Sequence, residues 1–337
     1  MNTPGAGRLR LGACLSLTGR HGRFGRQACT ALEIWNDFEP GVDLLIEDDQ
    51  SDPEGFDAIF RRVASKCDIL LGPYSTQLMR RAGNAAAELD RLVWNHGGSG
   101  DDVEAAHPGH VVSVLTPTSR YAELFLRRLA SGQEPGRLWI VHGKGSFGRQ
   151  VADGAESLAR RLGIEASPGE QLPGEDADSP WDLLCAGSFE EDVETVTRAR
   201  LLPRPPRTVC AVAAGVREFG EAVEQPEEIF GIGQWFPGAG GRAELGLDES
   251  DFLAAYSDRT GTLPDYPAAQ AAATAAIATY CARTAGTARD ALWEAASRLD
   301  TTTLFGRFKI DPSTGVQVGH EPCLVRWGSQ GPVADSA

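Results

Sequence analysis

Residues 9–25 read LRLGACLSLTGRHGRFG, and the pattern changes character halfway along. Leu9, Leu11, Ala13 and Leu15 alternate as the inward-facing positions of a β-strand do. Ser16, Leu17, Thr18 and Gly19 then form a small-residue, hydroxyl-bearing loop, and Phe24 and Gly25 lead into a helix. In an open α/β sheet, ligands sit at the carboxyl ends of strands, because the loops there leave backbone N–H groups and helix N-termini free to meet polar groups. The arrangement recurs twice before residue 100. Ile69, Leu70 and Leu71 deliver Gly72, Pro73, Tyr74, Ser75 and Thr76 ahead of a helical run from Gln77 to Asp90. Leu92, Val93 and Trp94 deliver Asn95, His96, Gly97, Gly98 and Ser99. Three such loops on one sheet converge on a single edge, which is how a small-molecule cleft is built.

At 337 residues the chain exceeds the size at which one hydrophobic core stops growing, so two lobes are expected. Lys and Arg together number 32 against 47 Asp and Glu, a net charge of -15 that repels phosphate backbones and anionic membranes. This argues against nucleic acid as a partner, and no apolar run approaches the roughly 20 residues of a membrane helix. Met1–Gly7 lacks the basic and apolar regions of a secretory signal, so the sequence as it stands reads as cytoplasmic, and as extracytoplasmic only if a leader has been removed. The seven cysteines, at 14, 29, 67, 185, 210, 281 and 323, are odd in number, scattered and without CxxC spacing. They read as reduced, buried thiols rather than as a disulfide framework or a zinc site.

Strands and helices alternate with short connections, as in a doubly wound parallel sheet. A first helix is expected over 24–38 and a strand over 42–46. In the acidic stretch EDDQSDPE, 47–54, Asp52 is placed as the N-cap of a helix running to Lys66, with Pro53 and Glu54 in its first turn. Capping explains those carboxylates more simply than a metal does. A fresh series begins after Thr116–Ser119, with strands over 137–141, 208–213 and 229–233 and a helix over 147–163. The Pro-, Gly- and acid-rich 167–182 reads as a surface excursion. A long Ala-rich helix over 267–286 and a further helix over 288–299 follow, then short extended pieces over 307–310, 316–318 and 323–327.

Catalytic signatures are missing from the sequence. HGKGS at 142–146 lacks the four residues a phosphate loop places between its first Gly and its Gly-Lys pair. Gly231, Gly233 and the glycines at 238–241 do not make GxGxxG, and no GxSxG elbow occurs. His107 and His110 read as part of a loop. The chain is expected to be a binding protein rather than an enzyme, with no metal and no cofactor.

Taken in order, LSLTGRHGRFG (15–25), EDDQSDPE (47–54), ILLGPYST (69–76), NHGGS (95–99), VLTPTSRYAE (114–123), VHGKGSFGRQVADG (141–154) and PDYPAAQAAATAAI (264–277) resemble the type I periplasmic-binding-protein fold, in its branched-chain amino acid solute-binding subgroup. The resemblance spans nearly the whole chain. It implies two Rossmann-like doubly wound α/β lobes joined by three crossings, with the ligand cleft between them. One lobe would hold 8–117 and 250–305, the other 118–249 and 306–330. It further implies that Ser75, Thr76 and Ser99 bind a carboxylate or amide end beside Gly97 and Gly98, where a larger side chain would hold the ligand off the backbone. Thr18, Phe24 and Tyr74 would line the same half, with Phe147, Val216, Gln234, Trp235 and Tyr266 completing the site.

Two non-enzymatic roles fit this resemblance: delivery of a solute to an ABC permease, or ligand sensing through a regulatory partner protein, as in the amide sensor of amidase operons. A homodimer through a helical face fits either. Amino-acid-binding members place a carboxylate on the second lobe to meet the ligand's ammonium, whereas the matching position here is Gln234 or Trp235. That implies a ligand without a free ammonium, unless Glu218 or Asp182 supplies the charge.

Overall fold

The computed structural model describes residues 8–132, 136–174, 180–239 and 241–335. They divide into two compact units: unit 1 comprises the described residues of Met1–Leu115 and Gly240–His320, and unit 2 those of Thr116–Ala239 and Glu321–Ala337.

The first stretch of unit 1 alternates β1 (Leu9–Leu15), α1 (Gly22–Phe38), β2 (Val42–Asp48), α2 (Phe56–Ala64), β3 (Ile69–Leu71), α3 (Thr76–Glu88), β4 (Val93–Asn95) and β5 (Val111–Ser113). The five strands are parallel, in the order β2-β1-β3-β4-β5, so all of their carboxyl ends lie on one edge. One sheet face buries Leu70, Val93 and Val111 against Phe56, Phe60, Leu78 and Met79 of α2 and α3. Helix α2 starts later than expected. Asp52 closes a turn instead, its carboxylate accepting from the N–H groups of Glu54 and Gly55 at 3.0 Å each, and the helix begins at Phe56. An Asx turn competes with the N-cap role for the same side chain, and here it prevails.

Unit 2 continues with α4 (Glu123–Ser131), β6 (Arg137–His142), α5 (Ser146–Leu162), β7 (Ala166–Gly169), β8 (Trp181–Ala186), α6 (Phe189–Arg200), β9 (Val209–Ala211), α7 (Phe219–Ala222) and β10 (Phe230–Gly233). The chain then returns to unit 1 for α8 (Glu249–Thr260), α9 (Tyr266–Ala285), α10 (Arg289–Arg298), β11 (Thr301–Thr303) and β12 (Gly306–Phe308). It ends in unit 2 with β13 (Cys323–Gly328) and β14 (Gly331–Ala334). The unit 2 sheet runs β14-β13-β10-β9-β8-β6-β7, parallel except that β13 is antiparallel to both of its neighbours.

The stretch 167–182, read from sequence as an excursion, carries most of an edge strand in β7 and the start of an interior strand in β8; residues 175–179 fall outside the described ones. Trp181, Leu183, Leu184 and Cys185 give β8 enough apolar surface to lie in the middle of the sheet. Residues 241–249 and 306–320, expected in the second lobe, fold with unit 1. The reason for the second segment is visible in its bonds. β12 pairs with β11, the Gln317 amide donates to the Val114 carbonyl at 3.0 Å, and Ser113 N–H donates to Gly315 O at 3.0 Å, stitching the hairpin to the end of β5.

Helix α9 is buried at every position from Pro267 to Thr279. Its alanines let it lie close to α1 and to β3 and β4, trading side-chain volume for backbone proximity. Among the described residues, all seven cysteines are free thiols and no helix is long and apolar enough to cross a membrane.

Candidate functional site

The carboxyl edge of the unit 1 sheet is built by three loops that brace one another. After β1, Ser16 Oγ donates to buried Asp49 Oδ1 at 2.7 Å, and Gly25 lets the start of α1 press on the strand end, since a Cβ there would sit 1.9 Å from Ser16 O. Thr18, named from sequence as a ligand contact, points its hydroxyl at Asp48 Oδ2 at 2.7 Å. Burial raises the Asp48 pKa, but bonds from Thr18, Gln50 and Leu17 outweigh it and hold the carboxyl below its usual range. An ionised Asp48 therefore fixes this loop.

After β3, Ser75 has φ 110° and ψ 144°, a backbone region that side chains rarely tolerate. It stays there because it is tied at both ends: its N–H donates to Gly97 O at 3.0 Å, and its Oγ caps α3 by accepting from Leu78 N–H at 3.3 Å. Thr76 Oγ1 accepts from Gly100 N–H at 3.1 Å. The N–H groups of Thr76 and Gln77, at the first two positions of α3, have no intrahelical acceptor by helix geometry. No acidic residue stands in the first turn of α3, so the positive end of its dipole is not neutralised from within the helix.

After β4, Asn95 Oδ1 accepts from Gly97 and Gly98 N–H at 3.2 and 2.8 Å, and its Nδ2 donates to Gly98 O at 2.7 Å. The two glycines are required by the protein itself. A Cβ on Gly97 would lie 2.7 Å from Tyr74 Cα, and one on Gly98 2.4 Å from Met79 Cβ. The fold thus needs both glycines in its own right, whether or not a ligand also approaches them. Ser99 follows, only 8% exposed.

An aromatic group closes the edge. Phe24 stacks on Tyr74 with centroids 4.5 Å apart, and the Tyr74 and Tyr266 hydroxyls are 2.8 Å apart. Burial pushes the Tyr266 phenol up to about 12, so it keeps its proton across the physiological range. Unit 1 thus brings together nine expected residues: Thr18, Phe24, Tyr74, Ser75, Thr76, Gly97, Gly98, Ser99 and Tyr266.

On unit 2, Phe147 sits in the first turn of α5, edge-on to Tyr121 at 5.7 Å, Val216 follows β9, and Gln234 and Trp235 follow β10. Gln234 is taken up within the fold: Thr116 N–H donates to its Oε1 at 3.0 Å, and its Nε2 donates to Thr116 O at 3.3 Å. Asp182 also differs from expectation. It lies at the amino end of β8, fully buried, gripped by Arg207 at 3.1 and 2.6 Å, away from the carboxyl edge. The carboxyl edge is organised by Asp192, whose carboxylate accepts from Gly187 and Ala213 N–H at 2.6 and 2.9 Å. Burial pushes Asp192 up to about 7 despite those bonds.

Sequence reading missed Asn95, Asp48 and Asp192 as scaffolding residues. Asn two positions ahead of Gly-Gly is an Asx-turn signal that points to the first of them. An open groove of about 1020 Å³ on unit 2, lined by Arg128, Arg207, Glu228 and Phe230, lies at the amino edge of its sheet. Its charges are already paired with Asp335, Asp182 and Arg326, so it is set apart from this site.

The sequence profile described as periplasmic binding protein matches residues 9–182. A search of curated proteins returned no match. Solved structures superpose along most of the chain. A leucine-binding protein from Thermotoga maritima gives a TM-score of 0.81 at 15% identity, covering 97% of this chain and 98% of that one. An ABC-transporter solute-binding protein from Rhodopseudomonas palustris in complex with 3,4-dihydroxybenzoic acid gives 0.80 at 13%, covering 97% and 96%. A branched-chain amino acid transporter substrate-binding protein from Streptococcus pneumoniae in complex with isoleucine gives 0.75 at 14%, covering 97% and 99%. At these identities the likeness is one of fold.

Proposed function

The chain belongs to the periplasmic-binding-protein family, and from that premise we propose that it is a non-enzymatic receptor for a small organic anion or amide, held at the carboxyl edge of the unit 1 sheet. The observation that carries this reading is the head of α3. A helix N-terminus with no acid in its first turn stands beside the Ser75 and Thr76 hydroxyls and the Gly97–Ser99 loop. Such a terminus offers an oxyanion N–H donors and a favourable dipole without an arginine. The Phe24–Tyr74–Tyr266 group supplies an apolar wall for the rest of the molecule. The names of the structural relatives support the further reading that the solute is destined for an ABC permease.

A thermal-shift screen over benzoate, 3,4-dihydroxybenzoate, isobutyramide, isocaproate and leucine tests the proposal. A ligand at 100 times its dissociation constant adds about 2.7 kcal/mol of stability, a shift of a few degrees. A protein whose melting point is moved by none of them, nor by a wider set of carboxylates and amides, is not a receptor of this class.

A further inference from the structure

Beneath the Gly97–Ser99 loop lies a chain of side chains that the binding reading does not use. Asn95, which holds Gly97 and Gly98 through its amide, also donates from Nδ2 to Ser113 Oγ at 2.6 Å. Ser113 in turn donates its hydroxyl proton to Glu104 Oε1. Asn95, Ser113 and Glu104 are 0%, 1% and 4% exposed, and the second carboxyl oxygen of Glu104 has no bonding partner. The polarity of the chain is fixed. Ser113 Oγ accepts from Asn95, so its only proton must go to Glu104, and Asn95 must then turn Oδ1 toward the two glycine N–H groups.

We propose that Glu104 is a positioning residue for the ligand-binding loop, acting through Ser113 and Asn95, and that its protonation is coupled to the geometry of Gly97–Ser99 and to anion binding there. The binding half of this rests on the function proposed above; the positioning half does not. A lone buried carboxylate is costly to ionise, and burial here pushes Glu104 up to about 7 against the bonds from Ser113 and Asn95 that lower it. Asp101, in the same turn, raises it further. The other titratable and charged groups around it are accounted for: Asp102 is paired with Arg80 at 2.7 Å, Arg81 faces Asp57, Glu88 faces Arg61, His107 bonds Asn84, and burial pushes His96, next to Gly97, down to about 4, so it stays neutral over this range. An anion arriving at the loop repels an ionised Glu104 and favours its protonated form. Binding therefore takes up a proton, and affinity falls as pH rises through neutrality.

The test has a ligand-free arm and a ligand arm. In ¹⁵N-glycine-labelled protein without ligand, two glycine amides, those of Gly97 and Gly98, are expected to titrate between pH 5.5 and 8.5 in the wild type and in His107→Gln. In Glu104→Gln, which keeps an acceptor for Ser113 but cannot ionise, they do not titrate. In the ligand arm, benzoate affinity is expected to fall about threefold or more from pH 6 to pH 8 in the wild type and to stay flat in Glu104→Gln. Ser113→Ala, which cuts the relay without changing charge, should lose affinity at both pH values. Glycine amides that titrate equally in wild type and Glu104→Gln, or that stop titrating only in His107→Gln, overturn the proposal. Titrating amides with no binding of benzoate, leucine or any probe of the screen would instead overturn the receptor reading and the binding half alone. A benzoate affinity that does not change with pH would remove the binding half in the same way.

Discussion

The hydroxyls of Tyr74 and Tyr266, 192 residues apart in the chain, meet at 2.8 Å, joining the loop after β3 to the head of α9. Phe24 stacked on Tyr74 extends the contact to α1, so a hydrogen bond and a ring stack together link three segments at the edge where the ligand is proposed to lie. Tyr266→Phe deletes that bond and leaves packing intact. A loss of about 0.5–1.5 kcal/mol in unfolding free energy is expected, measured by urea denaturation. With the phenol of Tyr266 raised to about 12, the difference between variant and wild type should not change between pH 6 and pH 9.

Ser75 separates binding from folding. Its φ of 110° is strained for a serine, and release of such strain is worth on the order of 1 kcal/mol or more. Glycine gives up the cap on Leu78 at a cost of only a few tenths of a kcal/mol. Ser75→Gly is therefore expected to be as stable as the wild type or up to about 1 kcal/mol more stable, while losing ten- to hundredfold in affinity for a carboxylate. Ser99→Ala should lose comparable affinity. Calorimetry with the best-binding compound of the screen, set beside thermal melts, checks both. Unchanged affinity in the two variants would move the site elsewhere.

Gln234 and Thr116 are clasped by two hydrogen bonds, and a structural role for that clasp can be tested. Gln234→Ala strands a backbone N–H and a carbonyl in a buried place, so a loss of about 1–3 kcal/mol is expected. A stability change below 0.5 kcal/mol, or a loss of affinity larger than the loss of stability explains, would return Gln234 to the ligand.

Much of the fold could be read from sequence because the features that make it are local. Alternating apolar residues mark β1, and small hydroxyl residues mark the loops after β1, β3 and β4. What the sequence left open is competition between two roles for one side chain. Asp52 can cap a helix or close a turn, and Gln234 can face a ligand or clasp Thr116. Only the three-dimensional neighbours decide such cases. The Pro- and acid-rich composition of 167–182 hid β8 because burial of Trp181 and its followers outweighs the polarity before them. Glu104 gave no signal, since a glutamate between Val103 and Ala105 in a turn reads as solvated, and its burial follows from where β5 places Ser113.

Two carboxyls set a pH dependence of stability. Glu104 and Asp192 are both raised to about 7 by burial, against unfolded values near 4. Over that window the native state holds more protons than the unfolded chain, so stability is greatest on the acid side and falls as pH rises from about 5 to about 7, levelling off above. The slope is at most about 1.4 kcal/mol per pH unit for each group. Below the usual carboxylate range the sign reverses, because Asp48 is held low and its bonds to the 17–18 loop are lost on protonation. Buried His96, pushed down to about 4, opposes this fall up to its unfolded value near 6.5, because over that range the unfolded chain binds the extra proton. Urea midpoints across pH 3–9 should therefore fall most steeply between about pH 6.5 and pH 7, and Glu104→Gln should flatten that limb.

The last prediction concerns the ligand's nitrogen. An amino acid brings an ammonium as well as a carboxylate, and burying an unpaired ammonium costs several kcal/mol. Three carboxylates of unit 2 are already engaged within their own unit. Asp182 is locked to Arg207 at the amino end of β8, Asp192 is held by two backbone amides, and Glu191 closes the capping box with Ser188. Gln234 and Trp235, one of which the resemblance matches to the charged position of amino-acid binders, are both neutral, and Gln234 is clasped to Thr116. Isocaproate, which is leucine without its amine, is therefore expected to bind at least tenfold more tightly than leucine, and benzoate more tightly than phenylglycine. Competition against a bound reporter carboxylate measures both ratios. If leucine wins, Glu218 at the head of α7 is the residue to test: a preference for leucine that disappears in Glu218→Gln would show that the ammonium partner has moved by one loop. A preference that persists there would mean that the ammonium stays in water and that the anion end alone is enclosed.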